Sequence, residues 1–458
     1  MANSYLNRTP SSAGNRQKWT WSGWVKLSNF AGAAGSILFS AYAHGNDNFK
    51  ISFGDTYKLS MRFYNGSEYQ LVTNRLFLDT NAWYHLVFAV DTTLASSGDR
   101  FKIYVNGVRE TSFSAEAQPT QNLQMTINDT TAMQIGRYST GSNYFDGYMS
   151  HVAFVDGSDL APTSFGATDA TSGIWKFKAP SGITWGTNGF HLKFENSAAL
   201  GTDSSGNTNT FTVNGNLKQS INTPSNVYPS VNHLRRFNGG GEMAYSNAGT
   251  TITGPGSGWQ IIGTATGVTT GKWYYEYKIT TLGYQNGYHK LGFFSNFITD
   301  IGNNAHLAES AIDGGYAFYQ NNGVLEVRTN DAVISGYSKS DLGNISFANN
   351  DIMCLAVDMT NKKAYFRKNG DAWIKSADPV NGTNGLDISS DYTAGKYLIP
   401  AGSIYYAGVG NFNFGNGYFG TTAVASAGTS SSGDDSVWEF DCPTGYYGIN
   451  TKNINTYG

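Results

Sequence analysis

The sequence predicts an all-β protein of two β-sandwich (jelly-roll) modules, and three observations carry that prediction. Two distant stretches echo each other: Phe88-Ala89-Val90-Asp91-Thr92-Thr93 leads to Lys102-Ile103-Tyr104-Val105-Asn106-Gly107, and Leu355-Ala356-Val357-Asp358-Met359-Thr360 leads to Ala364-Tyr365-Phe366-Arg367-Lys368-Asn369-Gly370. Each reads as strand, turn, strand and an Asn-Gly corner, the strongest short-range hairpin signal. The 55 glycines and 10 prolines of the 458-residue chain mark frequent tight turns between short strands. No segment holds the period of an amphipathic helix, so none is expected.

Composition narrows the function. Charged residues make up 14% of the chain, against roughly 25% in an average soluble protein, so Asn, Ser, Thr and Gly must supply most of the polar surface. Such a surface suits neutral hydrogen-bonding partners such as sugars, or other protein copies. A net charge of -3, with no basic tract longer than Arg235-Arg236, argues against nucleic-acid binding through phosphate neutralisation. No run of 18 apolar residues and no apolar region near Met1 is present, so neither membrane insertion nor a secretory leader is expected. Cys354 and Cys442 are the two cysteines. Cys354 lies in an apolar strand pattern and reads as a small buried residue, with synthesis in a cytoplasm.

The first module is read over 1–160. Trp19-Thr20-Trp21-Ser22-Gly23-Trp24-Val25-Lys26-Leu27 alternates, placing Trp19, Trp21, Val25 and Leu27 on one face and Trp24 on the other. Ile37–Ser40, Phe49–Phe53 and Leu59–Phe63 continue the set, and Trp83–Val90 is apolar enough for a strand covered on both faces. With Tyr104-Val105-Asn106-Gly107, Ile135-Gly136-Arg137, Phe145-Asp146-Gly147 and Val152-Ala153-Phe154, the run Ala82–Asp91 resembles the laminin G/pentraxin-type concanavalin A-like jelly roll. Residues 161–223 are a connector. Its Gly189–Phe194 strand and Asp203-Ser204-Ser205-Gly206-Asn207 turn resemble the opening of that jelly-roll family, which implies that it completes the first sandwich.

The second module is read over 224–425, with a tail over 426–458. Trp273, Tyr275, Tyr277 and Ile279 alternate inward in Gly271–Ile279. With Leu291-Gly292-Phe293, Gly315–Phe318 and Asn413-Phe414-Gly415, this module resembles the SPRY-type sandwich. The order of parts, from Ser4–Asn15 through jelly roll, connector and second sandwich to Tyr446–Asn453, resembles virion proteins of tailed bacteriophages, especially aquatic ones.

An enzyme would need residues that are hard to find. Jelly-roll glycosidases need paired carboxylates, and Glu439-Phe440-Asp441 is the nearest approach, outside both sandwiches and without a third acid. The seven histidines (His44, His85, His151, His191, His233, His289, His306) are scattered singly, without metal-ligand or triad spacing. His85 and His151 fall in strand patterns and read as structural. Gly415-Asn416-Gly417-Tyr418-Phe419-Gly420 matches a dinucleotide fingerprint formally, but such a motif must open a helix after a strand. The chain is therefore read as non-enzymatic.

Binding chemistry is easier to place. Sugar sites combine aromatic faces with convergent polar groups. Three clusters in predicted loops fit: Tyr138, Asn143 and Tyr144; Tyr284, Asn286 and Tyr288; Tyr319, Asn321 and Asn322. The alternative for each is contact with a neighbouring subunit or cover for a core edge. Calcium is a candidate ligand, since hard cations take Asp, Asn and carbonyl oxygens; Asp203, Asn207 and Asp146 are its candidate ligands, against the simpler role of Asx-turns. The reading is a structural protein of a phage virion, assembled in the host cytoplasm: a tail fibre or knob-like homo-oligomeric appendage that contacts other virion proteins and binds host-surface polysaccharide. Alternatives are a capsid decoration or head fibre, a bacterial lectin-like adhesin and, lacking its acid pair, a capsule depolymerase.

Overall fold

The computed structural model describes residues 3–28, 35–54, 56–236, 243–283, 288–297, 306–310 and 312–458. The chain is all-β in two compact units. The first holds residues 1–78, 82–219 and 223–225, the second residues 79–81, 220–222 and 226–458.

In the first unit the strands run β1 (Tyr5–Arg8), β2 (Lys18–Leu27), β3 (Ser36–His44), β4 (Asp47–Phe53), β5 (Lys58–Tyr64), β6 (Glu68–Leu76), β7 (Tyr84–Asp91), β8 (Phe101–Val105), β9 (Val108–Arg109), β10 (Phe113–Ala117), β11 (Met133–Ile135) and β12 (Gly147–Asp156). Beyond residue 160 come β13 (Gly166–Thr168), β14 (Trp175–Phe177), β15 (Phe190–Leu192) and β16 (Thr212–Asn214). They form an eight-stranded sheet, β10-β6-β5-β4-β3-β11-β1-β16, and a six-stranded sheet, β15-β12-β2-β7-β8-β9. Period-two alternation turns Trp19, Trp21, Phe39, Phe49, Phe88, Phe154 and Phe190 into one core between the sheets. Trp19 meets Phe49 edge to face across it at 5.3 Å.

Residues 161–219 add a strand to each of these sheets. β15 pairs with β12 (Phe154 opposite Phe190) and β16 with β1 (Leu6 opposite Val213). Ahead of both in the chain, β13 and β14 pair as a separate hairpin, and residues 160–186 cover the outer face of the six-stranded sheet. Phe165, Ile183 and Trp185 pack on Val87, Ala153 and Val155. Trp24, on the outer side of β2, is buried against the His85 ring at 4.9 Å. Trp175 donates its indole N–H to His85 Nδ1 at 2.9 Å, so His85 carries its proton on Nε2 and donates to Ser22 Oγ at 2.9 Å. Gly107 lets the indole approach, since a Cβ there would lie 2.6 Å from the Trp175 ring.

The second unit runs β17 (Val231–Arg236), β18 (Ala244–Ser246), β19 (Thr251–Thr253), β20 (Trp259–Thr264), β21 (Lys272–Thr281), β22 (Tyr288–Phe294), β23 (Asn296–Phe297), β24 (Ile312–Asp313), β25 (Tyr316–Asn321), β26 (Val324–Thr329) and β27 (Ala332–Val333). It continues through β28 (Ile352–Asp358), β29 (Lys363–Lys368), β30 (Leu386–Asp387), β31 (Ile399–Tyr405), β32 (Val409–Asn413), β33 (Tyr418–Phe419), β34 (Thr422–Ala423) and β35 (Tyr447–Gly448). A seven-stranded sheet, β17-β20-β31-β22-β25-β26-β27, faces an eight-stranded one, β18-β19-β32-β21-β28-β29-β30. Trp273, Tyr275, Tyr277 and Ile279 of β21 enter the core between them, as their alternation predicts.

The segment 426–458 packs into the second unit. Trp438 and Tyr446 are fully buried against Tyr274, Cys354, Ala356 and Tyr365 on the outer side of β21, β28 and β29. Glu276 ties it down: its buried carboxyl accepts the backbone N–H groups of Glu439 and Phe440 at 3.0 and 2.9 Å, with Asn413 and Tyr274 as further donors. The expectation of no helix is corrected here. Thr451–Tyr457 forms a short helix, α1, because the Asn450 side chain accepts from Asn453 N and caps its first turn.

The two echoing hairpins share their corner. Asn106 and Asn369 both take positive φ, 49° and 50°. Asn106 exchanges bonds with His85 (N–H to His85 O and His85 N–H to Asn106 Oδ1, both 2.8 Å). Asn369 does the same with Ile352 at 2.7 and 2.8 Å.

Candidate functional site

Strand alternation in the seven-stranded sheet leaves a second row of side chains on its outer face. At one end this face is apolar and covered: Ile261, Phe294, Ala317, Ile399 and Ala401 pack with Leu307, Ala308 and Ile312. At the other end it is aromatic and half-exposed. Trp259 lies opposite Tyr405 in register, and Tyr288 opposite Asn321. Their rings interlock: Trp259 is 5.3 Å from Tyr405, 6.1 Å from Tyr288 and 5.8 Å from Tyr319, and Tyr288 is 5.5 Å from Tyr405. Tyr406 and His306 extend the group, each 5.3 Å from a member ring.

A lysine lies beneath. Lys290, flanked in register by Ser403 and Tyr319, is 1% exposed although it points to the outer side. Its ammonium sits 4.5 Å from the Trp259 ring and 4.3 Å from the Tyr319 ring, and donates to Leu307 O at 3.2 Å. Burial, with the neighbouring Arg328 charge second, pushes its pKa well below the ordinary lysine value. The two π faces and the carbonyl favour the charged form and fix its place. His306 is likewise lowered to about 4, by burial first and the Lys290 charge second.

The rim is polar. Glu326 lies opposite Tyr319 in register and accepts from Asn321 Nδ2 at 3.0 Å and Arg328 Nε at 2.5 Å. Arg328 also reaches over the Tyr319 ring at 5.7 Å. An aromatic floor bordered by an amide, a carboxylate and a guanidinium can stack on a sugar ring and exchange hydrogen bonds with its hydroxyls.

This site gathers some predicted residues and not others. Tyr288, Tyr319 and Asn321 meet in it, but on strands rather than in loops, a correction with a simple cause. β22 begins at Tyr288 and β25 runs through Asn321, each past the Leu291–Phe293 or Gly315–Phe318 stretch that marks it in the sequence, and Tyr319 is itself 7% exposed because Lys290 and Trp259 cover it. Asn322 is exposed in the β25–β26 turn, lining a shallow depression of about 620 Å³ with Leu282, Val324, Phe347 and Asn349. Tyr284 and Asn286 lie outside the described residues. In the first unit Tyr138 packs edge-on to Tyr42 at 5.8 Å, Tyr144 lies 6.3 Å from Tyr5, and Asn143 shapes the backbone with φ 57° while its carbonyl accepts from Ile37 N.

The calcium candidates are occupied by the fold. Both Asp203 oxygens accept, from His191 N and Ser205 N on one side and Ser205 Oγ and Asn209 N on the other. Asn207 turns its amide donor to Gly186 O and Gly189 O, and Asp146 accepts from Ser28 Oγ at 2.8 Å. These are loop-closing roles. Among the described residues no three acidic, His or Cys side chains cluster as a metal would require.

Trp259, Lys290, Tyr405, Glu326 and Arg328 were not among the predicted site residues. Each strand's alternation shows which side chains share a face. The pairing that sets Trp259 beside Tyr405 is non-local, and a single sequence does not carry it.

Comparison with known proteins places the first unit. Residues 2–160 match the concanavalin A-like lectin/glucanase superfamily, of laminin G type. That match covers the first module alone. Solved structures resemble parts of the chain: the SPRY domain of human HERC1, with 18% identity over 40% of this chain and 96% of that one, TM-score 0.30; domain 4 of the Geobacillus stearothermophilus arabinanase AbnA bound to arabinotriose, 21% over 32% and 65%, TM-score 0.25; and a heptameric pentraxin of Limulus polyphemus, 14% over 34% and 71%, TM-score 0.25. No curated protein matches the chain. The concanavalin A-like module is thus joined to a second sandwich, whose aromatic face forms the site described above.

Proposed function

We propose that this chain is a non-catalytic, glycan-binding structural protein of a tailed-phage particle, a fibre or knob that holds host-surface polysaccharide on the aromatic face of its second sandwich. One observation carries the binding reading. Trp259, Tyr288 and Tyr405 stand half-exposed around a lysine fixed between two rings, an arrangement that packing alone does not call for. The bordering acid, Glu326, is buried and engaged by Arg328 and Asn321, which suits it to hold those two donors in place rather than to transfer protons. The particle context rests on the order of parts in the sequence. Many copies on one particle turn weak single-site contacts into firm attachment.

The test is binding of the purified chain, presented multivalently, to envelope polysaccharide of candidate host cells, with and without a calcium chelator. Saturable binding that W259A weakens about tenfold or more and that chelation leaves unchanged is expected. Absence of binding in multivalent form would move the assignment to capsid decoration.

A further inference from the structure

The eight-stranded sheet of the first unit has an outer face of a different character. One row crosses six strands in continuous register: Asn7, Gln134, Ser40, Lys50, Arg62 and Gln70. Every member is polar, while the alternating neighbours Phe39, Ala41, Phe49, Ile51, Met61 and Phe63 enter the core. At a strand spacing of about 4.8 Å the row is about 24 Å long. Ser40 and Gln134 are buried, Ser40 held to Arg137 O and Ser139 Oγ. Lys50, Arg62 and Gln70 are half-exposed.

At the middle of the row two cations, Lys50 and Arg62, stand directly opposite each other. Like charges in that position destabilise a ladder. The nearby carboxylate, Glu68, is already engaged by Arg62. Among the described residues the Lys50 ammonium has neither a hydrogen bond nor a salt bridge, and Glu68 attracts it only from a distance; it meets the Tyr138 ring at 5.7 Å. Burial first and the Arg62 charge second lower its pKa. Tyr42 and Tyr138, packed edge to face, stand on one side of Lys50, and Tyr64 lies under the Arg62 guanidinium at 5.6 Å. Arg137, stacked on Tyr5 at 3.5 Å and bonded to Gln134, adds a third cation at the far end.

We infer that this row is a second ligand site, which holds the carboxylate or sulfate groups of a linear anionic polysaccharide against Lys50 and Arg62. An anion between the two cations removes their repulsion and gives the Lys50 ammonium a charge-assisted partner. The tyrosines offer faces for the sugar rings on either side. The site is independent of the aromatic face of the second sandwich.

The test uses the full chain with polygalacturonate, dextran sulfate and neutral dextran as probes. Binding to at least one polyanion and not to dextran is expected, weakening about tenfold as salt rises from about 0.05 to about 0.3 M. Polygalacturonate as the bound probe assigns carboxylate; dextran sulfate alone assigns sulfate ester; either supports the site. K50Q and R62Q should each weaken polyanion binding about tenfold, K50R should retain it, and W259A should leave it unchanged. K50Q should keep or raise the unfolding midpoint, which separates lost binding from lost fold. No binding to either polyanion, or binding that K50Q leaves intact, would overturn the inference.

Discussion

Lys18 faces Asp91 across the β2–β7 ladder, its ammonium 2.9 Å from a carboxylate that is 3% exposed. Lys272 faces fully buried Asp358 across the β21–β28 ladder in the same way, at 3.3 Å. Each aspartate also caps the turn after its strand, accepting Thr93 N in one unit and Thr360 N and Asn361 N in the other. Burial alone would raise the Asp91 pKa, but the bonds from Thr93 and Lys18 hold it below the ordinary value. D358A strips the turn of its acceptor and leaves Lys272 without that partner. It should cost on the order of 3 kcal/mol, read as a lowered urea midpoint.

The shared Asn-Gly corner makes a second prediction. N369A leaves at φ near 50° a residue without the short polar side chain that lets Asn tolerate the left-handed region, and removes the acceptor for Ile352 N, at a cost of about 2 kcal/mol. N369G relieves the backbone but not the lost bond, so it should cost about half as much. Equal losses in denaturant titrations would show that the side-chain bond alone matters.

Lys290 should trade stability for binding. K290M replaces a desolvated ammonium with an apolar chain of similar volume, so the thermal midpoint should rise, by about 1–2 kcal/mol equivalent, while polysaccharide affinity falls. A lowered midpoint would mean that the cation–π contacts and the Leu307 carbonyl outweigh desolvation.

Acid should loosen the first unit through its histidines. Burial lowers His151 and His191 to about 4 and His85 to about 3. Between these values and the unfolded value near 6.5, the unfolded chain binds protons that the folded one does not. Stability is therefore full above about pH 6.5 and declines as pH falls toward 4. His151 and His191, 3.4 Å apart, should act together. H191Q should flatten the pH profile of the unfolding midpoint across that window, by on the order of 2 kcal/mol.

Ending the chain at residue 425 uncovers Tyr274, Cys354 and Tyr365 and takes two N–H donors from Glu276. The truncated chain should bind a hydrophobic dye and lose solubility. Unchanged solubility would show that the eight-stranded sheet tolerates an open outer face.

Both sandwiches were legible because their signals are local. The alternation of Trp19 to Leu27 and of Trp273 to Ile279 states which face is buried, and the Asn-Gly corners state where the chain turns back. The helix at Thr451 was missed because it is seven residues long, too short for periodicity to register. The sites were less legible because their residues meet through pairing between distant strands. Trp259 and Tyr405 are 146 positions apart in sequence yet opposite in register, and the row from Asn7 to Gln70 depends on five separate pairings. Tyr319 and Asn321 appeared as loop residues because the apolar run that marked their strand ends at Phe318, and nothing local separates the polar end of a strand from a turn.

Each sandwich carries its own cover: residues 160–186 on the six-stranded sheet of the first, residues 426–449 on the eight-stranded sheet of the second. The natural joint for recombination therefore lies near 219–226, not at residue 160 where the superfamily match stops. A gene fusion cut at 160 would transplant a module with Trp24 and His85 laid bare. One cut past 219 would move a cassette that arrives with its outer wall already in place.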